Sequence, residues 1–271
     1  MYWLVAAMRD SRLFKQTLGG LDVSSIRKSL VVTVLAISQM LIAQDVLAQA
    51  KTSAGSSGEL TQSSPEAIFL LANRYESGNG VSKDPVRAAQ LYRQAADSGH
   101  PGAQYNLGKL YQSGLGVPKD SQETVKWFRL AANQGHSGGQ NGLGTLYQSG
   151  LGVPKDSQEA LKWYRLSANQ GFAKGQNNLA RLFHFGEGIS QDDQQAAKWF
   201  RLAADQGLPE AQYWLGVIYN NGQGVPKDYQ EAAKWFRLAA DQGNSIGQHA
   251  LGVLYEHGLG VPKDSQEAIT H

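Results

Sequence analysis

The sequence predicts an all-α solenoid of antiparallel helix pairs, and three observations carry that prediction. The fourteen residues from Leu110 to Glu123, LYQSGLGVPKDSQE, return unchanged from Leu146 to Glu159. Glycine recurs every 36 residues at Gly80, Gly116, Gly152, Gly188, Gly224 and Gly260, and aspartate keeps the same step at Asp84, Asp120, Asp156, Asp192, Asp228 and Asp264. Within one unit, Ala103, Leu107, Leu110 and Tyr111 fall at helical spacing, and Val125, Phe128 and Ala132 follow, with Trp127 and Ala131 beside them. A fixed period of about 20 to 50 residues marks units that cannot bury an apolar face alone and must stack.

Taken in order, the chain begins with a leader. Arg27 and Lys28 precede an apolar run from Leu30 to Ala43, and Ala48, Gln49 and Ala50 offer small residues in an A-x-A arrangement. Residues 1–50 therefore read as a secretory signal peptide, with the mature chain starting at Lys51 and destined for the periplasm or for secretion. The apolar run is interrupted by Ser38 and Gln39 and is shorter than the roughly 20 residues of a spanning helix; an uncleaved anchor is the alternative. Residues 51–64 are mostly Ser, Thr, Gly and Gln, the composition of a flexible, disordered linker. Residues 65–271 hold six copies of the unit, the last one incomplete.

First helices are predicted to start near Pro65, Pro101, Ser137, Ala173, Pro209 and Ser245, and second helices near Asp84, Asp120, Asp156, Asp192, Asp228 and Asp264. Between them, Gly114 and its counterparts suit a left-handed helix end, and Pro118 stops the first helix from continuing. Each aspartate carboxylate accepts amide hydrogens of the following first turn. A glutamate three residues on, as in Asp120 with Glu123, Asp156 with Glu159, Asp228 with Glu231 and Asp264 with Glu267, is expected to reach back in a capping box. In the first copy Pro85 follows the cap, where its missing amide would be unbonded anyway. Trp127, Trp163, Trp199 and Trp235 recur on second helices, and Tyr111, Tyr147, Phe183, Tyr219 and Tyr255 on first helices; periodic aromatics belong to the core. Gly108, Gly144, Gly216 and Gly252 sit inside helices at a cost of roughly 1 kcal/mol each, which close approach of a neighbouring helix would offset. The last second helix is read as unfinished at His271, which is expected to leave Leu251, Leu254 and Tyr255 partly uncovered. Such an open apolar end is expected to fray or to self-associate.

Leu-Gly-x-x-Tyr, Gly-x-Gly-Val-x-x-Asp, Ala-x-x-Trp-aromatic and Ala-x-x-Gly stand complete in one copy, at Leu143, Gly144, Tyr147, Gly150, Gly152, Val153, Asp156, Ala160, Trp163, Tyr164, Ala168 and Gly171. In these motifs the chain resembles the Sel-one-like repeat family, close relatives of tetratricopeptide repeats, from about Pro65 to the last residue. The resemblance implies a right-handed α-solenoid that acts as a scaffold for other proteins. The disulfide found in each repeat of well-known bacterial members has no counterpart, because the chain has no cysteine.

Composition and motifs exclude several kinds of chemistry. Without cysteine there is no thiolate metal site, cysteine nucleophile or lipobox anchor. Five of the 25 basic and three of the 23 acidic residues lie in the first 50, so the rest of the chain is electrically balanced. That balance gives no electrostatic reason to bind a nucleic acid, nor an anionic membrane once the signal peptide is cleaved. The six histidines form no H-E-x-x-H and no paired ligand spacing, and His100 and His136 read as loop positions after a second helix. Ser25 to Lys28 reads S-x-x-K but lies in the leader, with neither S-D-N nor K-T-G downstream. The loops G-x-G-V-P-K-D lack the ending of a P-loop and precede an aspartate that repels phosphate. No catalytic constellation, metal site or cofactor site is expected.

What varies between copies is the side of each first helix opposite its core stripe. One position reads Phe69, Tyr105, Asn141, Asn177, Tyr213 and His249, and the next Leu70, Asn106, Gly142, Asn178, Trp214 and Ala250. Further along come Asn73, Lys109, Thr145, Arg181, Val217 and Val253, then Glu76, Gln112, Gln148, His184, Asn220 and Glu256. In related solenoids stacked first helices line the concave face. The expected function is therefore a non-catalytic scaffold binding a protein or extended peptide there, with Tyr105, Asn106, Lys109, Asn178, Arg181, Tyr213 and Trp214 as candidate contacts. The adjacent aromatics Tyr213 and Trp214 lead that set, because core packing does not readily explain them. A hydrolase acting on cell-wall or β-lactam substrates and a secreted modulator of a host pathway are the alternatives.

Overall fold

The computed structural model describes residues 64–264. The predicted signal peptide, nearly all of the predicted linker, and Glu267 with the rest of the last second helix lie outside the described residues.

Eleven helices of 13 residues each follow one another among the described residues, with no strand between them. First helices are α1 (Pro65–Ser77), α3 (Pro101–Ser113), α5 (Ser137–Ser149), α7 (Ala173–Phe185), α9 (Pro209–Asn221) and α11 (Ser245–His257). Second helices are α2 (Pro85–Asp97), α4 (Ser121–Asn133), α6 (Ser157–Asn169), α8 (Asp193–Asp205) and α10 (Tyr229–Asp241). Each packs chiefly on the helices before and after it in sequence, which is the solenoid arrangement.

The first helices end as their glycines dictate. Gly114 has φ 76° and Gly150 φ 75°, and each donates its N–H to a leucine carbonyl four residues back, Leu110 and Leu146. Second helices start on the aspartates: Asp156 Oδ1 accepts from the amides of Gln158 at 2.9 Å and Glu159 at 3.0 Å. The reciprocal half of the expected capping box does not form. The Asp156 N–H is already donated to the carbonyl of Tyr147 at 2.9 Å, and the same bond joins Asp84 to Tyr75, Asp120 to Tyr111, Asp192 to Phe183, Asp228 to Tyr219 and Asp264 to Tyr255. Freed of that task, Glu123 accepts from Trp127 Nε1 at 2.8 Å and pairs with Lys126, while Glu159 and Glu231 pair with Lys162 and Lys234.

Inside each repeat the second-helix rings Tyr92, Phe128, Tyr164, Phe200 and Phe236 are deeply buried, all at most 3% exposed. They explain the helical glycines: a methyl group on Gly108 would fall 2.6 Å from Phe128, on Gly144 2.8 Å from Tyr164, and on Gly216 2.6 Å from Phe236. The periodic tryptophans divide. Trp127 and Trp235 are buried, whereas Trp163 and Trp199 are only half-buried at the core's edge.

Polar ladders join one repeat to the next. Buried Gln104, Gln140, Gln176 and Gln212 each donate Nε2 to an alanine carbonyl on the preceding second helix, at 3.2 to 3.4 Å. Their Oε1 atoms accept from Gln134, Gln170, Gln206 and Gln242, at 2.7 to 2.8 Å. On the other side, Arg93, Arg129, Arg201 and Arg237 each donate to the hydroxyl of Tyr111, Tyr147, Tyr219 and Tyr255 in the next repeat. The step is missing between Arg165 and Phe183, which has no hydroxyl.

The most demanding contact lies in the loop. Gly152, with φ 75°, approaches the preceding second helix so closely that a methyl group would sit 2.6 Å from the Ser121 carbonyl oxygen. Gly171 shares the positive φ, 81°, but nothing lies within 4 Å of its missing Cβ. Gly171→Ala should cost only the left-handed penalty, about 1–2 kcal/mol. Gly152→Ala should add the cost of overpacking against rigid backbone, about 1–3 kcal/mol more. Urea unfolding followed by circular dichroism should therefore place the Gly152→Ala midpoint clearly below that of Gly171→Ala.

Candidate functional site

The varying face of the first helices is knit together across repeats. Asn106 Nδ2 donates to Asn73 Oδ1 at 3.3 Å, and Asn178 Nδ2 to Asn141 Oδ1 at 2.9 Å. Second-helix tyrosines reach the same face. The Tyr92 hydroxyl meets Asn73 and Glu76, and the Tyr164 hydroxyl donates to Gln148 Oε1 at 2.9 Å and lies 3.1 Å from Thr145 Oγ1. Burial, then the Glu76 carboxylate, pushes the Tyr92 hydroxyl pKa well up. Burial also raises Tyr164 to about 12, against the pull of Thr145 and of the Arg181 cation, so both tyrosines stay protonated donors.

Of the sequence candidates, Lys109 and Arg181 are exposed, and Asn106 and Asn178 are half-buried steps of the amide ladder. Tyr105 stacks on Phe128 at 5.7 Å between ring centres and lies 4.9 Å from His136, with Lys109 Nζ 5.7 Å over its ring. Burial raises its hydroxyl pKa. Packing does account for much of the aromatic pair: Tyr213 lies 5.9 Å from Phe236, and Trp214 stacks on Phe200 at 6.0 Å with an interplanar angle of 13°. Both remain half-buried rather than enclosed.

Two neighbours of Trp214 stand outside the candidate contacts, Phe185 and His184, of which only His184 lies at a varying position named from the sequence. Phe185, 49% exposed, meets the indole edge-on at 5.5 Å, and His184 lies 5.6 Å from it. His184 is itself buried and donates Nδ1–H to Asp193 Oδ1 at 2.9 Å. A Phe in place of the serines Ser77, Ser113 and Ser149 of earlier copies is the signal that sequence comparison within the chain offers. Among the described residues no three His, Asp or Glu side chains come close enough to hold a metal ion, and no helix is long and apolar enough to cross a membrane.

His100 and His136, expected in loops, are the N-caps of α3 and α5. Their Nδ1 atoms accept from Ala103 N at 3.0 Å and Gly139 N at 3.1 Å, and His100 Nε2 donates to Glu66 Oε2 at 2.8 Å. In α11 the same cap is Asn244, whose Oδ1 accepts from Gly247 N at 2.7 Å. The histidine cap needs an unprotonated Nδ1. Burial first, and repulsion from His100 second, hold the His136 pKa below the ordinary 6.5. Folding thus favours the neutral ring, so this contribution is complete above about pH 6.5 and is lost as pH falls through the lowered value. His136→Asn should keep the cap and remove the titration. Between pH 7.5 and 5 its unfolding midpoint should fall less than that of the parent, and equal falls would contradict the assignment.

The Sel1 repeat family model matches six consecutive segments, residues 65–100, 101–136, 137–172, 173–208, 209–244 and 245–271. Among solved structures, a Sel1 repeat protein from Oxalobacter formigenes is 38% identical, with 76% of this chain and 84% of that chain covered at a TM-score of 0.71. The antigen c5321 of uropathogenic Escherichia coli, which displays an SLR fold, is 33% identical at a TM-score of 0.69; 84% of this chain is covered, but only 46% of that longer one. The immunity protein PA5088 of Pseudomonas aeruginosa, 23% identical at a TM-score of 0.52, covering 80% of this chain and 77% of its own, shares the fold. No curated protein matches the sequence. With the repeat model covering residues 65–271 and helix pairs in the order that model requires, the chain belongs to the Sel1 repeat family.

Proposed function

We propose that this chain is an exported, non-catalytic scaffold that holds a protein partner, through an extended segment, along the concave face formed by its first helices. Sel1 repeat proteins are in general protein-interaction scaffolds. The observation that carries the finer reading is a division of labour. Glycines, aspartates and glutamines that fix one repeat on the next recur at the 36-residue step, whereas Lys109, Arg181 and Phe185, exposed on the first helices, differ from copy to copy. Half-buried Trp214 beside exposed Phe185 offers the desolvated aromatic anchor on which binding energy concentrates. Export rests on the leader in residues 1–50.

Site-specific photocrosslinking tests this in cells that produce the protein. A crosslinker at Phe185 or Asn106 should capture one discrete partner, and one at Leu166 or Leu202, exposed on second helices, should not. Capture from the second helices alone would move the binding face. N-terminal sequencing of the mature chain should begin at Lys51.

A further inference from the structure

Helices α3, α5 and α7 contain no Asp or Glu at all, whereas α1 carries Glu66 and Glu76, α9 carries Glu210 and α11 carries Glu256. The same three middle helices carry Lys109, Lys174 and Arg181, and none of these cations is in an ion pair among the described residues. Carboxylates near this region keep their charge but accept hydrogen bonds from other side chains, and none forms an ion pair with these cations among the described residues. Glu187 accepts from Gln148 Nε2 at 2.7 Å, Asp193 accepts from His184, and Glu76 meets Tyr92. Along α7, Lys174, Asn178, Arg181 and Phe185 stand at i, i+4, i+7 and i+11, one stripe on the side away from the core. That stripe runs from cations to the exposed ring of Phe185 beside Trp214.

We propose that the segment held on this face is an acidic peptide. Its middle carries Asp or Glu side chains that pair with Lys109 and Arg181, and to one side it carries a large apolar side chain that seats against Phe185 and Trp214. This rests on the first-helix face being the binding surface. Charge complementarity selects the occupant: a basic segment would add to three cations that have no ion-pair partner among the described residues, whereas an acidic one supplies those partners. The glutamates on α1, α9 and α11 confine the negative stretch to the middle repeats. A nucleic acid, charged at every phosphate, would run into them at both ends.

The test is selection of random 15-residue peptides displayed against the full-length chain, followed by fluorescence anisotropy with the selected peptides. Enrichment in Asp and Glu, with one Phe, Trp or Leu to one side, is expected. Affinity should fall at least tenfold in a Lys109→Glu, Arg181→Glu double variant, fall at least fivefold between 50 and 300 mM salt as screening grows, and weaken in Phe185→Ser. All three positions are exposed, so these variants fold. Peptides without acidic enrichment whose binding is lost in Phe185→Ser would overturn the acidic occupant and leave the binding face standing. Selected peptides indifferent to all three substitutions, or no selected peptides, would remove the binding face itself. Displacement of the peptides by a single-stranded RNA 15-mer would assign the cations to phosphate and overturn the proposal.

Discussion

The array depends on a backbone-to-backbone contact. In every such loop after the first, a glycine with positive φ presses its Cα against the first residue of the preceding second helix, Gly116 on Pro85, Gly152 on Ser121, Gly188 on Ser157, Gly224 on Asp193 and Gly260 on Tyr229. No side chain intervenes, so neither partner can yield. Four residues on, the same loop places the cap aspartate, whose N–H bonds the carbonyl of the first-helix aromatic and whose carboxylate starts the second helix. One short loop therefore fixes three things at once: the end of one helix, the start of the next, and the distance to the previous repeat. That coupling explains why the period stays at 36 while other positions drift.

With the loops fixed, the remaining inter-repeat energy comes from interlocking shapes and paired polar groups. The ring of Phe128 is received by Gly108 of its own repeat and by Gly142 of the next, and Tyr164 by Gly144. The glutamine ladder satisfies buried amides that would cost about 1–3 kcal/mol each if left unpaired. These requirements consume the inner and lateral faces of every helix. They leave the exposed first-helix positions of Lys109, Arg181 and Phe185 without a part in stacking, although Asn106 and Asn178 beside them still link repeats, and there the copies differ in charge, size and polarity. Exposed positions that take little part in stacking, with cations in no ion pair among the described residues beside an exposed ring, have the chemistry of a recognition face.

Much of this was legible in the sequence. Repetition exposes helix starts directly, and the prolines, aspartates and glycines mark turns whose backbone geometry few other residues tolerate. The unread features share a cause. Histidine is outside the usual N-cap set, so His100 and His136 passed as loop residues although they occupy the position of Asn244. Gln104, Gln140, Gln176 and Gln212 recur at the repeat step at the edge of the core stripe, yet a polar residue there has meaning only once the carbonyl it bonds is located on another helix. Glu123 was given to the wrong amide because the competing carbonyl of Tyr111 lies outside the local window. Trp214 was set apart from the core because its partner, Phe200, belongs to the preceding repeat.

The central claim is that the exposed first-helix residues Lys109, Arg181 and Phe185 are available to a partner and take no part in building the solenoid. Equilibrium unfolding midpoints of Lys109→Ala, Arg181→Ala, Phe185→Ala and Gln140→Ala, measured in parallel, test it most directly. The first three should stay within about 0.5 kcal/mol of the parent, as exposed substitutions do. Gln140→Ala should lose about 1–3 kcal/mol, because it cuts a buried ladder at both ends. If the three outward substitutions destabilise as much as Gln140→Ala, that stripe is part of the frame, and the separation on which the functional reading stands does not exist.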